Sequence, residues 1–305
     1  MEKAYVDTVR LLLEVAPVVF QEAPFVIKGG TAINLFLDDM PRLSVDIDVV
    51  YSNREHSRDV ALQSISTNLK KIKSTLEQRG MQVALVSTSA NDDIKLLVTR
   101  GEVLVKIEVN HVFRGTVLPV VDQRLREQAR NSFATDLIVP ALAPAELYGS
   151  KLVAALDRQH PRDFFDVGRM YQAGGLTPEI VECFVSYLAG HNRPIHEVLF
   201  SNDQDIKAAF ENEFDGMTRE PITLNELVEV RRKLRAELPS AITLNQKKFL
   251  ISLASAEPDW SLMKCRHLAE LPAIRWKLQN LDKLKKFNPS KFAQQADELR
   301  ARWSV

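Results

Sequence analysis

The chain has 305 residues, of which 45% are hydrophobic and 26% charged, and its formal net charge is zero. Such a chain can bury one large core or two smaller ones, and we expect two domains in a soluble, cytoplasmic protein. Two cysteines without Cys-x-x-Cys spacing indicate neither a disulfide framework nor a zinc site. Neither a signal peptide nor an apolar run long enough for a membrane span is recognisable.

The first 140 residues mix helical and strand patterns. In chain order, the predicted elements are a helix near 3–16, strands near 24–28 and 45–51, a long helix near 54–79, and strands near 81–87, 94–99, 103–110 and 116–120. This order is typical of an α+β fold in which helices flank a mixed β-sheet.

From Pro144 onward the apolar spacing is helical, and prolines recur at intervals suited to helix starts. We therefore predict a catalytic domain over residues 1–142 and an α-helical C-terminal domain over 143–305. The second domain divides into motif-bearing helices at 143–172 and a basic helical region at 173–305.

A glycine pair follows the first predicted strand. Gly29 and Gly30 lack side chains, so the backbone can approach a ligand closely. Free N–H groups at the start of the helix predicted from Thr31 attract anions. A glycine pair before a helix is often only a turn, so this motif alone is a weak sign of phosphate binding.

Two carboxylates follow on the next predicted strand. Asp46 and Asp48 are two residues apart, so they share one face while Val45, Ile47 and Val49 point into a core. Two neighbouring like charges need a cation, a shared proton or open solvent, and Mg²⁺ suits carboxylates combined with substrate phosphates. The glycine turn and the acid pair together indicate nucleotidyl transfer.

A third acid lies on the strand predicted at 103–110. Glu108 is on the polar face of that strand together with Lys106. Glu108 is thus a candidate to complete a three-carboxylate metal site. The alternative is an ordinary solvated face of a half-buried sheet.

A second group of charged residues lies on the helices that begin near Pro144. Lys151 and Arg158 are seven residues apart and share a face, where they can clamp a triphosphate. Asp163 and Asp166, on the next helix, can orient these cations or act as a base towards an attacking hydroxyl. The alternative is a surface salt-bridge network between two helices.

These motifs carry a resemblance. A Gly-Gly-Thr turn, the Arg-x-Ser-x-Asp-x-Asp pattern of residues 42–48 and a later strand carboxylate resemble the DNA polymerase β-type nucleotidyltransferase superfamily. Within it, the segments 144–151 and 161–167 resemble the AbiEii/AbiGii toxin family, which includes the MenT-type toxins. The similarity covers about residues 20–172.

The resemblance implies an NTP-dependent nucleotidyltransferase toxin of a type IV toxin–antitoxin or abortive phage infection system. It implies transfer of an NMP to RNA, with the 3′ end of tRNA as the expected acceptor, and one or two Mg²⁺ ions. It also implies an AbiEi-like antitoxin encoded next to this gene, and we expect the toxin to be a monomer.

The resemblance also implies site residues. The metal ligands would be Asp46, Asp48 and Glu108. The nucleotide would be bound by Gly29, Gly30, Thr31, Arg42, Ser44, Lys151 and Arg158. The catalytic residues would be Asp46, Asp48, Lys151, Asp163 and Asp166.

Charge is distributed unevenly along the chain. Residues 231–305 contain 16 Lys and Arg but 7 Asp and Glu. Such a basic helical region favours an RNA backbone as the partner, although solvated helix faces or a surface for an acidic antitoxin are alternatives. Trp260, Trp276 and Trp303 are candidates for base stacking, with core packing as the alternative.

Two other functions remain open. A small-molecule nucleotidyltransferase, such as an aminoglycoside-type modifying enzyme, would present an acidic pocket near Asp163 and Asp166 to a cationic substrate. A non-catalytic module would bind a nucleotide or a partner at a relic site. Loss of transfer on mutation of Asp48 would distinguish either enzyme from a non-catalytic module. Dependence of transfer on added RNA would distinguish an RNA-modifying enzyme from one that acts on a small molecule.

Overall fold

The computed structural model describes residues 3–21, 23–87 and 93–304. The chain divides into two compact units. One unit comprises Met1–Leu147 and Asp215–Pro221, and the other comprises Tyr148–Phe214 and Ile222–Val305. No sequence pattern indicated that residues 215–221 belong to the first unit, and our boundary after residue 142 stays a prediction.

The first unit contains the β-sheet. Its elements are α1 (Lys3–Phe20), β1 (Phe25–Lys28), α2 (Gly29–Thr31) with a π-helical continuation (Ala32–Leu37), β2 (Asp46–Tyr51), α3 (Arg58–Gln78), β3 (Gln82–Ser87), β4 (Asp93–Arg100), β5 (Val103–Asn110), β6 (Val121–Arg124), α4 (Glu127–Phe133) and β7 (Ile138–Ala141). The helices and strands predicted up to residue 110 are all present.

The seven strands form one mixed sheet in the order β3-β4-β5-β2-β1-β7-β6. β2 is parallel to β5 and β1 is parallel to β7, while the other neighbouring strands are antiparallel. The central strand β2 therefore lies between β1 and β5, and the end of β1 and the start of β2 lie beside the glycine turn.

One sheet face is apolar, and the opposite face carries the two aspartates of β2. Helices α1 and α3 pack against strands of the sheet, and Ile47, Val49 and Ile107 are completely buried. Because side chains alternate along a strand, Asp46 and Asp48 lie on the opposite face. The alternating pattern in the sequence thus assigned both faces of β2 correctly.

The strand predicted near 116–120 is wrong. Those residues form no strand, and β6 begins only at Val121. The side chain of Glu146, which is fully buried, accepts hydrogen bonds from the backbone N–H groups of Val117 (2.8 Å) and Leu118 (2.9 Å). A distant carboxylate therefore satisfies donors that a neighbouring strand would otherwise take.

The second unit is helical. Its elements are α5 (Pro144–Asp157, which begins in the first unit), α6 (Pro161–Gln172), α7 (Pro178–Ala189), α8 (Ile195–Leu199), α9 (Lys207–Glu213), α10 (Leu224–Ala241), α11 (Leu244–Ala254), short 3₁₀ turns at Trp260–Leu262 and Leu268–Glu270, α12 (Pro272–Phe287) and α13 (Pro289–Trp303). In the described part of the chain no strand follows Ala141. The predicted α+β class, with a mixed sheet followed by helices, is confirmed.

Buried aromatic side chains form the core of the second unit, including Phe164, Phe184 and Phe249. No helix among the described residues is both long enough and apolar enough to cross a membrane.

Candidate functional site

The glycine turn lies against the Asp48 carboxylate. Gly29 has φ = +73°, a conformation that favours glycine, and a Cβ atom there would overlap Oδ2 of Asp48. A Cβ atom on Gly30 would lie 2.7 Å from a guanidinium nitrogen of Arg42 and 3.0 Å from Oγ of Ser44. Both glycines are therefore required for the close approach of the turn to the polar motif.

Buried side chains hold the glycine turn in place. The Thr31 hydroxyl lies 2.9 Å from the Ser44 hydroxyl and also donates to the backbone carbonyl of Asp46. Arg42 is 2% exposed and donates from Nη1 to the carbonyl of Leu43, at 2.9 Å. Thr31, Ser44 and Arg42 hence fix the turn to the start of β2.

A distant segment anchors the residues between the turn and β2. The backbone N–H of Leu43 donates to the carbonyl of Met217, and that of Arg219 donates to the carbonyl of Pro41, both at 2.9 Å. These bonds explain why residues 215–221 belong to the first unit. Sequence patterns did not reveal them because such pairing has no local periodicity.

Four charged residues lie side by side across the polar face of the sheet. Asp48 is the register partner of Lys28 on β1 and of Glu108 on β5, and Glu108 is the partner of Lys95 on β4. Neighbouring strands are about 4.8 Å apart, so the signs run plus, minus, minus, plus over a short distance. We call these four residues the charged row.

Each of the three candidate metal ligands is the register partner of a lysine on a neighbouring strand. The Nζ atom of Lys95 lies 3.3 Å from Oε2 of Glu108, whose side chain is 48% exposed. Asp46 is the register partner of Lys106. Lys28 and Lys95 were not among the predicted site residues. Lys28 adjoins the glycine pair in the sequence, whereas Lys95 is recognisable only from strand pairing.

The donor set can be compared with what Mg²⁺ prefers. Within the described residues, no three Asp, Glu, His or Cys side chains are grouped closely enough to hold a metal ion. Asp46 and Asp48 nevertheless share one partly exposed face beside the turn. Mg²⁺ is commonly bound through one or two carboxylates together with substrate phosphates and water, so this pair fits the ion.

The second predicted cluster is compact and buried. The Nζ atom of Lys151 lies 2.9 Å from Oδ1 of Asp163 and 2.9 Å from Oδ2 of Asp166. Arg158 donates from Nε and Nη2 to Asp163, at 2.6 and 2.8 Å. The two carboxylates are fully buried, whereas the Arg158 side chain is 58% exposed. This is not the surface network that was the alternative interpretation.

The charges within this cluster balance. Burial alone would raise the pKa of Asp163, but the Lys151 ammonium and the Arg158 guanidinium outweigh it and hold that pKa well below its usual range. Asp163 is therefore ionised at neutral pH, and it fixes the position of both cations.

Gly149 lets α5 approach α7 closely. A Cβ atom at this position would lie 2.6 Å from Cβ of Cys183 and 2.7 Å from the backbone nitrogen of Phe184. Lys151 is two residues further along the same helix, so this contact helps to set its position. The glycine of the Tyr-Gly-Ser-Lys segment thus has a packing role.

A family comparison bears on the function of these two clusters. Residues 10–280 match the family described as "Nucleotidyl transferase AbiEii toxin, Type IV TA system". The chain belongs to this family. The resemblance drawn from the sequence motifs is thereby confirmed, and it extends well beyond the stretch in which we recognised it.

A solved structure agrees in fold. MenT4, a nucleotidyltransferase toxin from Mycobacterium tuberculosis H37Rv, superposes with a TM-score of 0.60 at 17% identity, over 91% of each chain. A comparison with curated proteins gives no match. As a member of the AbiEii family, this protein is a nucleotidyltransferase that uses an NTP and a toxin whose system includes an antitoxin.

Proposed function

We propose that this AbiEii-family enzyme transfers an NMP from an NTP to the 3′ end of an RNA, with tRNA as the acceptor, in a reaction that requires Mg²⁺. The observation that carries the proposal is the contact between the Gly29 turn and Asp48, on the same sheet face as Asp46. A phosphate-binding turn beside paired carboxylates is the arrangement that nucleotidyl transfer requires.

Asp46 and Asp48 would hold the metal, and Glu108 would become a third ligand only after leaving Lys95. When bound, Mg²⁺ would neutralise triphosphate charge and polarise the reacting phosphoryl group. The backbone of Gly29 and Gly30 would bind phosphate oxygens. Thr31, Arg42 and Ser44 would act by holding that turn in place, since the first two side chains are buried almost completely.

Lys151 and Arg158 would bind the triphosphate and stabilise the charge that develops on it. The acceptor hydroxyl would form a bond to the α-phosphorus as its proton passes to solvent, the bond from that phosphorus to the bridging oxygen would break, and pyrophosphate would leave. We assign Asp163 and Asp166 to the positioning of Lys151, because both are buried and within 2.9 Å of its ammonium group.

Charge supports RNA as the acceptor, since residues 231–305 are strongly basic. A cationic small-molecule acceptor was expected to use an acidic pocket at Asp163 and Asp166. Their carboxylates are instead buried and paired with cations, so they give that alternative no support. We also propose that residues 1–142 form the catalytic domain and 143–305 the helical domain, and that the enzyme acts as a cytoplasmic monomer in phage defence.

The test is incubation of the purified protein with total tRNA, Mg²⁺ and each NTP in turn, radiolabelled at the α-phosphate. Asp48→Ala is the critical variant, and Asp122→Ala, which removes an exposed carboxylate on β6, is its matched control. We expect label from one NTP to enter tRNA with wild type and control but not with Asp48→Ala. All three proteins should have similar melting temperatures.

Each other outcome is informative. No label from any NTP would overturn tRNA as the acceptor. Equal labelling by Asp48→Ala would overturn the assignment of the site. Omission of Mg²⁺ in the presence of a chelator should abolish labelling, and full activity under those conditions would contradict the metal requirement.

A further inference from the structure

Two exposed aromatic side chains lie on one face of α12. Trp276 is 47% and Phe287 86% exposed, and they are the aromatic members of the exposed large apolar side chains in the described chain. Their spacing of eleven residues is about three helical turns, or about 16 Å, so both project from the same side of the helix. The fold leaves this side uncovered.

Two exposed lysines lie near these rings in the same helix. Lys283 lies between them on the same side, and its Nζ atom is 5.7 Å from the centre of the Trp276 ring. Lys286 is exposed one position before Phe287. Neither lysine forms a salt bridge with any residue that the structure describes. We call Trp276, Lys283 and Phe287, together with Lys286 at their edge, the aromatic–lysine face.

The other two tryptophans are partly buried and pack against aromatic rings. The Trp260 ring lies 5.8 Å from that of Phe249, and the Trp303 ring lies 6.2 Å from that of Phe200. These two rings therefore pack against other side chains at partly buried positions, and not in the core. Trp276 differs because its ring is 47% exposed, whereas the other two are only partly exposed.

We propose that the aromatic–lysine face binds single-stranded RNA. Bases would stack on Trp276 and Phe287, and phosphates would pair with Lys283 and Lys286. An acidic protein would complement the lysines but would not explain two flat exposed rings. A second copy of this chain would bring the same cations to the same place, where they repel. RNA matches both the charge and the rings.

This inference deepens the proposed function, because it names a surface that would hold the RNA acceptor. It rests on the proposed function only in treating the bound RNA as the acceptor. Binding can be measured without transfer. Transfer without binding at this face would overturn the inference and leave the function intact. Binding of RNA at this face without any nucleotidyl transfer would support the inference and overturn the proposed function.

The first test measures binding of a fluorescently labelled oligo(U) of about twelve nucleotides to the full chain at several salt concentrations. Phe287→Ala should weaken binding about fivefold or more with little change in the salt dependence, because it removes stacking. A plot of the logarithm of the association constant against the logarithm of the salt concentration has a slope that reports the number of phosphate contacts. Lys283→Ala should reduce the magnitude of that slope by about 0.7, because it removes one phosphate contact.

The matched controls are Leu244→Ala and Lys248→Ala on α11, where Leu244 is 55% exposed and Lys248 is also exposed. They remove the same kinds of group outside the aromatic–lysine face and should change the affinity less than twofold. Equal losses in controls and test variants would show general charge attraction and would overturn the proposal.

The second test uses the intrinsic fluorescence of Trp276. Oligo(U) should quench part of the tryptophan emission of wild type, and Trp276→Phe should lose that quenching while it keeps most of the affinity, since a stacking ring remains. Absence of quenching would contradict stacking. A concentration-dependent dimer in sedimentation experiments that Phe287→Ala abolishes would assign this face to a second copy and overturn the RNA proposal.

Discussion

Asp48 on β2 and Glu108 on β5 are register partners on parallel strands, so two carboxylates stand side by side on the polar face of the sheet. Lys28 and Lys95 occupy the outer positions of the same row. The protein itself thus supplies cations next to an acid pair that would otherwise repel. A bound metal ion therefore has to compete with these lysines for the carboxylates.

We expect Lys95→Met to increase the affinity for divalent cations. The variant frees Glu108 from an ion pair of 3.3 Å, and a gain of about twofold to fivefold corresponds to the energy of a partly exposed pair. Titration of the protein with Mn²⁺, followed by electron paramagnetic resonance, measures this directly. The double variant Lys95→Met/Glu108→Gln should lose the gain. A gain that survives in the double variant would remove Glu108 from the ligand set.

Replacement of Gly29 separates backbone strain from the contact with Asp48. Gly29→Ala should cost about 1 kcal/mol of folding stability because of the positive φ, and it should also abolish most transfer because its Cβ would displace the Asp48 carboxylate. Gly80→Ala is the control, since Gly80 has φ = +79° and no atom within 4 Å of the added Cβ. Thermal unfolding and labelled-NTP transfer measure the two effects. Equal activity of both variants would contradict the assigned contact.

Loss of the Lys151 charge should destabilise the second unit. Lys151→Met removes the ammonium group that lies 2.9 Å from both Asp163 and Asp166 while the two carboxylates remain fully buried, and breaking such a buried pair typically costs about 3–5 kcal/mol. Chemical denaturation measures the change. Lys151→Met/Asp166→Asn should recover part of the loss because one buried charge is removed. A single variant as stable as wild type would mean that the carboxylates find other partners.

Acid should weaken the same cluster. The folded-state pKa of Asp163 lies below its unfolded value of about 3.9, so the unfolded chain binds more protons in that range. The stabilisation from Asp163 is therefore complete above about pH 5 and is lost as the pH falls below the unfolded value. Denaturation curves between pH 6 and 3 should show a steeper loss for wild type than for Asp163→Asn. Parallel pH profiles would contradict the pKa shift.

Lys277 should make stability rise with pH at the alkaline end of the range as well. Burial lowers its pKa to about 8, although Glu197 opposes the shift, and its Nζ donates to the carbonyl of Arg193 at 2.7 Å. The unfolded chain thus binds more protons between the folded pKa and the usual value of about 10.4. Stability should rise over that interval, at about 1.4 kcal/mol per pKa unit at most. Lys277→Met should lack the rise, and denaturation at pH 7.5 and 10 compares the two proteins.

Local patterns predicted much of the fold and the motifs of the site. Alternation along Val45–Val50 fixed which residues of β2 face the core, and the helical spacing after Pro144 fixed the helical second half. The spacing of Lys151, Arg158 and Asp163 was enough to predict that their side chains lie near one another. These features depend on periodicity within a single element or between two consecutive ones, which the sequence displays directly.

The tertiary structure alone decided how those residues are used. It buried Thr31 and Arg42 beneath the glycine turn, and it placed Lys95 beside Glu108 through the pairing of β4 with β5. It also directed Glu146 to the backbone of residues 117–118, where a strand had been predicted. Register, burial and long-range hydrogen bonds join positions that are far apart in the chain, and no local pattern encodes which of them meet. The sequence thus determined the chemistry that is available to this enzyme, and the fold determined which groups remain accessible to perform it.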